Sequence, residues 1–490
     1  MGWKEAAEPL LTRMPSVVRP EGHVPFKRKL GWTAGILVLY FFLTNITVWG
    51  LAEQGNDLFG QFRSILGGSQ GSILQLGIGP IVTASIVLQL LGGADLLGLD
   101  TDDPRDQILY QGLQKLLVVA MIFLTGIPMV FAGGFLPASS NLADALGVGI
   151  FGVQVLIFAQ IAVGGILILF MDEIVSKWGV GSGIGLFIIA GVSQQLIGGL
   201  FGWQGLTGNI GFLPAWVGII TGSIDIGSPL TAEGLQAIFM GQGQLIALVT
   251  TVLIFVVVVY AESVRIEIPL SHARVKGARG RFPVKLIYAS VLPMILVRAL
   301  QANIQFLGRI LQSQLGAAGM PNWLGVYNQQ GQPTAGFFYY FNPIQAPGDW
   351  MWWTGIAQEP WQVALRVAID LTFMVIGGAI FAVFWVETTG MGPEATAKQI
   401  QNSGMQIPGF RRNPQVIEKV MERYIPQVTV IGGALVGLLA VLANMLGTIG
   451  GVSGTGLLLA VSITYKLYEE IAEEQLMEMH PMMRSMFGNG

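Results

Sequence analysis

The run GQLIALVTTVLIFVVVVYAE, from Gly243 to Glu262, holds a single charged side chain, at its last position. A helix of about twenty residues rises roughly 30 Å, which matches the hydrocarbon thickness of a bilayer. A helix also satisfies its own backbone hydrogen bonds, as lipid requires. This stretch therefore predicts a transmembrane helix.

Apolar blocks of similar length recur along the whole chain. Hydrophobic residues make up 52% of the 490 residues and charged residues only 11%, against roughly 25% charged in a soluble domain. Glycine is abundant, with 67 residues, which suits helices that pack closely in a membrane. The blocks predict ten spans, at 31–51, 77–92, 113–135, 148–171, 182–201, 243–262, 285–308, 362–386, 427–447 and 454–468. The predicted fold class is an all-α polytopic membrane protein.

Lys and Arg are distributed unevenly between the two sides of these spans. With the N-terminus in the cytosol, 22 of the 26 Lys and Arg fall in cytosolic segments, and such an excess is typical of cytoplasmic loops. The exceptions are Arg63, Arg298, Arg309 and Arg366. Ten spans return the chain to its starting side, so we expect a multi-pass protein of the cell membrane with both termini cytosolic.

The ten spans divide into two groups of five. A group with an odd number of spans ends opposite its start, so the second group is inverted relative to the first, which permits an inverted repeat. The two groups share no convincing sequence similarity. The predicted organisation is a cytosolic segment 1–30, a first half 31–201, an external loop 202–242, a second half 243–468 with cytosolic loops 264–284 and 387–426, and a cytosolic tail 469–490.

Six strings of sequence lie in order at the predicted span boundaries. They are GIGPIVTASIVLQLL (Gly77 to Leu91), DEIVSKWGVGSGIGLFIIAGVSQ (Asp172 to Gln194), YAESVRIEIPLSHARVKG (Tyr260 to Gly277), ANIQ (Ala302 to Gln305), FWVETTGMGPEATAKQI (Phe384 to Ile400) and RYIPQVTVIGG (Arg423 to Gly433). Over nearly the whole chain, the sequence resembles the archaeal members of the SecY family of protein-translocation channels.

The resemblance implies a clamshell of two inverted five-helix halves around an hourglass pore. Such a channel translocates unfolded polypeptides across the membrane and releases transmembrane segments sideways into lipid. It implies no enzymatic activity and no cofactor. The implied partners are a SecE-type subunit, a Secβ-type subunit, the ribosome, signal sequences with their nascent polypeptides, and membrane lipid.

The resemblance also implies a pore constriction of aliphatic side chains. A channel that passes any side chain should be apolar at its narrowest point, so that it closes to water and ions by packing and dewetting. The positions that match the family are Ile78, Val82, Ile184, Ile188, Ile295 and Leu459. Ordinary apolar packing is the alternative for each of them taken alone.

Two further features are expected near the second span. The segment GQFRSILGGSQ at 60–70 occupies the position of the family's re-entrant plug helix, with a surface amphipathic helix as the alternative. Thr83, Thr125 and Asn303 match the polar cluster of a lateral gate between the second and seventh spans. Routine helix packing is the alternative for these three.

Basic residues in two predicted cytosolic loops are candidates for docking a ribosome. By resemblance, Arg279, Arg281 and Arg411 would contact the phosphates of ribosomal RNA in a salt-sensitive way. Topology signalling or binding to anionic lipid is the alternative.

The sequence argues against two other classes of membrane protein, the ion-coupled transporter and the integral membrane enzyme. An ion-coupled secondary transporter also suits inverted halves. Coupling needs ionisable residues inside the spans, however, and Asp and Glu are nearly absent there, with Asp370 the clearest exception, so their scarcity argues against coupling. An integral membrane enzyme needs a catalytic or metal-binding cluster. The chain has no cysteine, and its three histidines, His23, His272 and His480, are scattered outside the predicted spans. No metal site is therefore predicted.

Arg298 and Asp370 stand where apolar residues are expected. An unpaired Arg near the bilayer centre costs at least about 2.5 to 3.5 kcal/mol. Both residues lie about nine or ten positions below the external ends of their spans, at matching depth. We therefore predict an ion pair between neighbouring helices of the second half, with Arg298 reaching the aqueous funnel alone as the alternative.

Overall fold

The computed structural model describes residues 3–22, 24–52, 63–93, 97–98, 104–132, 135–203, 210–227, 230–241, 243–272, 279–287, 292–328, 331–354, 358–402, 405–406 and 414–479. Helices dominate these residues. The first half contains α1 (Trp3–Leu11), α2 (Phe26–Thr44), α3 (Arg63–Leu66), α4 (Gly79–Gly93), α5 (Pro104–Phe131), α6 (Ser140–Leu146), α7 (Gly149–Trp178) and α8 (Gly183–Phe201).

The remainder of the chain adds nine α-helices, three short 3₁₀-helices and five strands within the described residues. The α-helices are α9 (Phe212–Thr221), α10 (Ala232–Phe239), α11 (Leu245–Ser263), α12 (Leu292–Gly319), α13 (Phe337–Tyr340), α14 (Pro360–Thr388), α15 (Pro393–Asn402), α16 (Pro414–Leu446) and α17 (Gly454–Met479). The strands are β1 (Arg265–His272), β2 (Arg279–Lys285), β3 (Val326–Tyr327), β4 (Pro333–Ala335) and β5 (Met405–Gln406).

Six of the described helices are long and apolar enough to cross a bilayer by length and composition: α5, α7, α8, α11, α14 and α16. Four other predicted spans correspond to α2, α4, α12 and α17. Each of these four is shorter or more polar, for a visible reason. Helix α4 has only 15 residues, α2 begins with a basic turn, α12 carries Arg298 and Arg309, and α17 ends in a charged stretch.

The first span lies earlier in the sequence than its apolar block suggested. Helix α2 ends at Thr44, and the residues that follow form turns and β-bridges to other parts of the first half. Thr47 forms a β-bridge with Ser72. The side chain of Gln160 holds the backbone of Trp49, donating to its carbonyl over 2.9 Å and accepting from its N–H over 3.0 Å. Residues 45–52 are therefore a connecting segment despite their apolar composition.

The predicted loop 264–284 contains a β-ribbon that we did not anticipate from the sequence. β1 and β2 pair antiparallel, with Arg265 opposite Lys285 and Ser271 opposite Arg279. β5 joins the other edge of β1 and gives the strand order β2-β1-β5. The alternation of Ile266 and Ile268 with charged residues suits such a ribbon. This small sheet joins the two loops at 264–284 and 387–426.

Glycines allow the helices of the second half to approach closely. A Cβ atom on Gly433 of α16 would lie 2.5 Å from the carbonyl oxygen of Gly378 on α14. A Cβ on Gly437 would lie 2.3 Å from the carbonyl oxygen of Met374. Backbone contact at this distance is typical of small residues between membrane helices.

The two halves touch at more than one place. Helix α4 of the first half contacts α12 and α14 of the second half. Helix α8 contacts α17 and the turn between α16 and α17, where a Cβ on Gly199 would lie 2.1 Å from the Cα of Gly450. Gly450 has a φ of +74°, and a Cβ there would lie 2.4 Å from the carbonyl oxygen of Gln195. This second contact therefore brings backbone directly against backbone.

Candidate translocation pore

The six predicted constriction residues come from both halves of the chain. Ile78 immediately precedes α4, Val82 lies on α4, and Ile184 and Ile188 lie on α8. Ile295 and Leu459 lie on α12 and α17. Five of these side chains are at most 2% exposed, and Ile184 is half-buried against the same apolar cluster. That cluster is continuous through the two halves.

The segment after the predicted plug start folds back against these helices. Residues 60–62 lie outside the described residues, and α3 occupies Arg63–Leu66. Ile65 and Leu66 are buried in the same apolar cluster as the constriction residues. The N–H of Ile78 donates to the carbonyl of Leu66 over 2.7 Å. Gly77 makes this close return feasible, because it has a φ of +54° and a Cβ there would lie 2.2 Å from that carbonyl oxygen.

An aromatic side chain of α2 also holds this segment. The hydroxyl of Tyr40 donates to the carbonyl of Gly67 over 2.6 Å. The ring of Tyr40 stacks on Phe187 of α8, with 5.0 Å between centroids. Tyr40 is 1% exposed. The first and fifth spans therefore fix the residues that follow α3.

The three predicted gate residues lie together. The side-chain amide of Asn303 on α12 donates to the hydroxyl oxygen of Thr83 on α4 over 2.9 Å. Thr83 in turn donates to the carbonyl of Gly79 over 2.9 Å. Thr125 of α5 lines the same small cavity as both residues. A side-chain hydrogen bond thus joins α4 to α12 at this level.

Arg298 and Asp370 lie within ion-pair distance. Arg298 Nη1 is 3.2 Å from Asp370 Oδ1, and each side chain is 1% exposed. Gln301 lies between them, accepting from Arg298 Nη1 over 2.6 Å and donating to Asp370 Oδ1 over 3.1 Å. Arg298 Nε also donates to the hydroxyl of Thr455 on α17 over 3.2 Å. The two charges are thus paired, and Arg298 Nη1 and Nε are hydrogen-bonded, whereas Arg298 Nη2 is buried with no hydrogen-bond partner among the described residues.

The same polar cluster holds a stretch of backbone at 341–344, which we did not anticipate from the sequence. Gln301 donates to the carbonyl of Phe341 over 3.1 Å. Arg366 donates to the carbonyls of Asn342 and Pro343 over 3.0 and 2.9 Å. The N–H of Ile344 approaches Asp370 Oδ2 at 3.4 Å.

A signal for this larger cluster was present in the sequence. Gln301 lies three residues after Arg298, and Arg366 lies four residues before Asp370, so each pair shares a helix face. Arg366 was also one of four basic residues outside the predicted cytosolic segments. Its guanidinium lies 5.1 Å from the ring centroid of Tyr339.

The predicted docking arginines are only partly described. Arg279 and Arg281 lie on β2, opposite Ser271 and Pro269 of β1. Arg411 lies outside the described residues.

Comparison with known proteins identifies the family. The SecY family model matches residues 72–468, and a model described as the plug domain of Sec61p matches residues 38–71, which includes the predicted plug segment. The protein translocase subunit SecY of Haloferax volcanii is 77% identical over 492 residues, covering 100% of both chains.

Solved structures agree with this assignment. One is described as a protein-conducting channel. It is 38% identical, has a TM-score of 0.79, and the match covers 97% of this chain and 98% of that chain. Another, Sec61 in a canine ribosome–channel complex from the endoplasmic reticulum, is 38% identical with a TM-score of 0.76 and the same coverage. None of these relatives is an ion-coupled transporter, so that alternative has no support. The chain therefore belongs to the SecY family, with that family's ten-helix clamshell, and is a channel subunit for protein translocation.

Proposed function

We propose that the resting channel is closed by a constriction of Ile78, Val82, Ile184, Ile188, Ile295 and Leu459, with the plug segment packed on its external side. The observation that carries this proposal is the continuous apolar cluster, which contains these side chains together with Ile65 and Leu66. Aliphatic side chains offer no hydrogen bonds to a passing polypeptide and exclude water when packed. Transport by this route requires neither an active site nor a cofactor.

Conductance across planar bilayers tests the constriction. Ile188→Ala, which truncates a side chain that is 0% exposed, should raise the resting ion current. Ile376→Ala is the matched control, because Ile376 is 53% exposed on α14. Equal currents in the two variants would contradict the proposed constriction.

The plug proposal has its own test. Tyr40→Phe removes the hydroxyl that donates to Gly67 and leaves the ring in place. Deletion of residues 60–70 removes the segment itself. We expect ion leak to rise slightly in the first variant and strongly in the second. Tyr468→Phe, at a tyrosine that is 68% exposed, is the control. Unchanged conductance after the deletion would rule out a plug here.

The lateral exit is proposed to lie between α4 and α12, with Thr83, Thr125 and Asn303 as its polar cluster. Support comes from the hydrogen bond between Asn303 and Thr83, which a signal sequence entering from the pore would have to replace. Signal sequences and nascent polypeptides are the proposed ligands. Membrane lipid is the proposed destination of their apolar segments.

Arg279, Arg281 and Arg411 are proposed to dock the ribosome. Two observations support this role: the sheet β2-β1-β5 joins the two loops concerned, and a relative of this chain is found in a ribosome–channel complex. Arg281→Glu should weaken ribosome binding and reduce the slope of log affinity against log salt by roughly one. Arg28→Glu, at an exposed position in the basic first turn of α2, is the control. If both variants bind equally, topology signalling or lipid binding explains the loop charges.

The assembly and its orientation complete the proposal. We propose that a SecE-type subunit clamps the two halves and that a Secβ-type subunit lies at the periphery. The distribution of Lys and Arg supports a cell-membrane location with both termini cytosolic. Co-purification from native membranes tests the subunits. Protease access to tags at each terminus of inside-out vesicles tests the orientation.

A further inference from the structure

Three exposed tryptophans lie near the start of α14 and the end of α16. Trp352 and Trp353 are 46% and 60% exposed, and Trp361 is 61% exposed. We call these three residues the tryptophan patch. Indole rings are among the most costly side chains to leave in water, so such a cluster calls for a partner.

The depth of the patch follows from its contacts. The indole N–H of Trp350 donates over 2.8 Å to the carbonyl of Met445, next to the last residue of α16. The ring of Trp353 lies 5.6 Å from that of Trp350, and the ring of Trp352 lies 4.9 Å from that of Trp353. Trp361 is the second residue of α14. All three patch residues therefore lie at the level where α14 and α16 end.

The patch also continues the lipid-facing side of α14. Leu365, Ile376 and Ile380 are 42%, 53% and 47% exposed on this helix. Trp361 is four residues before Leu365, and Ile380 is four residues after Ile376, so they share one helix face. In a membrane-spanning helix, an exposed stripe of this kind faces acyl chains.

The lack of exposed basic residues near the patch excludes binding of an anionic lipid headgroup. The segment 311–360 contains neither Lys nor Arg. The acids nearest to the patch in sequence are Glu359, whose side chain caps the start of α14, and Asp349, whose carboxylate accepts from the N–H of Gln345 over 2.9 Å. Nothing in this segment would attract an anionic headgroup. An indole instead favours the boundary between headgroups and acyl chains, with its ring in the apolar part and its N–H towards the polar part.

We propose that the tryptophan patch sits in the polar–apolar boundary of the outer leaflet and holds the ends of α14 and α16 at a fixed depth. Its occupant is the carbonyl and upper acyl region of neighbouring lipids. The choice of leaflet rests on the proposed orientation, whereas the depth does not. Because no cation takes part, the contact is independent of salt and of lipid headgroup charge.

The absence of cysteine makes a direct depth measurement feasible. Trp352→Cys, Trp353→Cys and Gln332→Cys each provide a single thiol for a spin label on the full chain in liposomes. Gln332 is exposed and lies in the turn between β3 and β4, so it is the aqueous reference. We expect labels at 352 and 353 to collide more often with oxygen than with a water-soluble nickel chelate, and the label at 332 to show the reverse.

Three outcomes would overturn the proposal. The first is preferential nickel access at 352 and 353. The second is oxygen preference that disappears in nanodiscs holding one copy of the chain, since a second copy would then be the occupant. The third is a change in the oxygen preference at 352 and 353 when salt or anionic lipid is added.

A second measurement covers variants that fail to fold. The Trp352→Phe, Trp353→Phe double variant keeps two aromatic rings. In liposomes with lipids brominated near the carbonyl, it should lose a measurable part of the quenchable indole fluorescence. An unchanged quenched fraction would also overturn the proposal.

Discussion

Replacing Asp370 with Leu should destabilise the protein strongly, because it leaves the guanidinium of Arg298 buried without its carboxylate. Removal of one partner of a buried pair costs about 3 to 5 kcal/mol. Arg298→Met leaves Asp370 charged and buried, at a similar cost. The double variant removes both charges and leaves the N–H of Ile344 without its partner and Gln301 with its bond to the carbonyl of Phe341, a cost of about 1 to 3 kcal/mol.

The size of the coupling follows from these values. The two single variants together should cost at least about 6 kcal/mol and the double variant at most about 3 kcal/mol, which gives a coupling of at least about 3 kcal/mol. The free energies of unfolding can be measured by circular dichroism in mixed micelles titrated with a denaturing detergent. All four variants of the cycle are needed.

An exposed pair in the same chain provides the control. Lys398 Nζ is 2.9 Å from Glu394 Oε1, but the two side chains are 62% and 70% exposed. A cycle on this pair should give about 0.3 to 0.5 kcal/mol. If the buried pair gave no more than the exposed one, solvent would have to reach Arg298, and the predicted pairing would be refuted.

Two further predictions concern contacts between the halves. Gly199→Ala places a methyl group 2.1 Å from the Cα of Gly450 and should cost about 1 to 3 kcal/mol of unfolding free energy. Gly198→Ala is the control, because its methyl group meets no atom within 4 Å and should leave the stability unchanged or slightly higher. Equal effects of the two variants would refute the close contact. Asn303→Ala removes the hydrogen bond to Thr83, worth about 1 kcal/mol, so signal-peptide crosslinking in the gate should rise about fivefold. Thr83→Ala should match it, and the double variant should add nothing; additive effects would show that the two residues act separately.

The membrane helices were predictable because hydrocarbon tolerates few polar groups, so apolar blocks mark them directly. Their ends were less predictable. Helix α2 starts with a basic turn, since a helix can continue beyond the hydrocarbon, and residues 45–52 form turns and isolated β-bridges although they are mostly apolar. The β-ribbon at 265–285 was missed because its alternation is short and lies inside a string interpreted as a loop.

Part of the candidate site could be predicted from the sequence as well. Matching depth placed Arg298 near Asp370, since a buried charge needs a partner wherever it lies. The hydrogen bonds that fix residues 341–344 could not be predicted in this way. It depends on side chains that meet carbonyls 23 and 24 residues away in the sequence, and hydropathy carries no information about such contacts.

The contact between Gly199 and Gly450 limits how the two halves can move against each other. Two backbones that already touch cannot come closer, so relative motion there is restricted to turning about the contact or to separation. The contact between α4 and α12 differs, because a side-chain hydrogen bond joins the two helices there, and its exchange for another partner costs little. The first contact is therefore the more rigid of the two, and the second can open at lower cost.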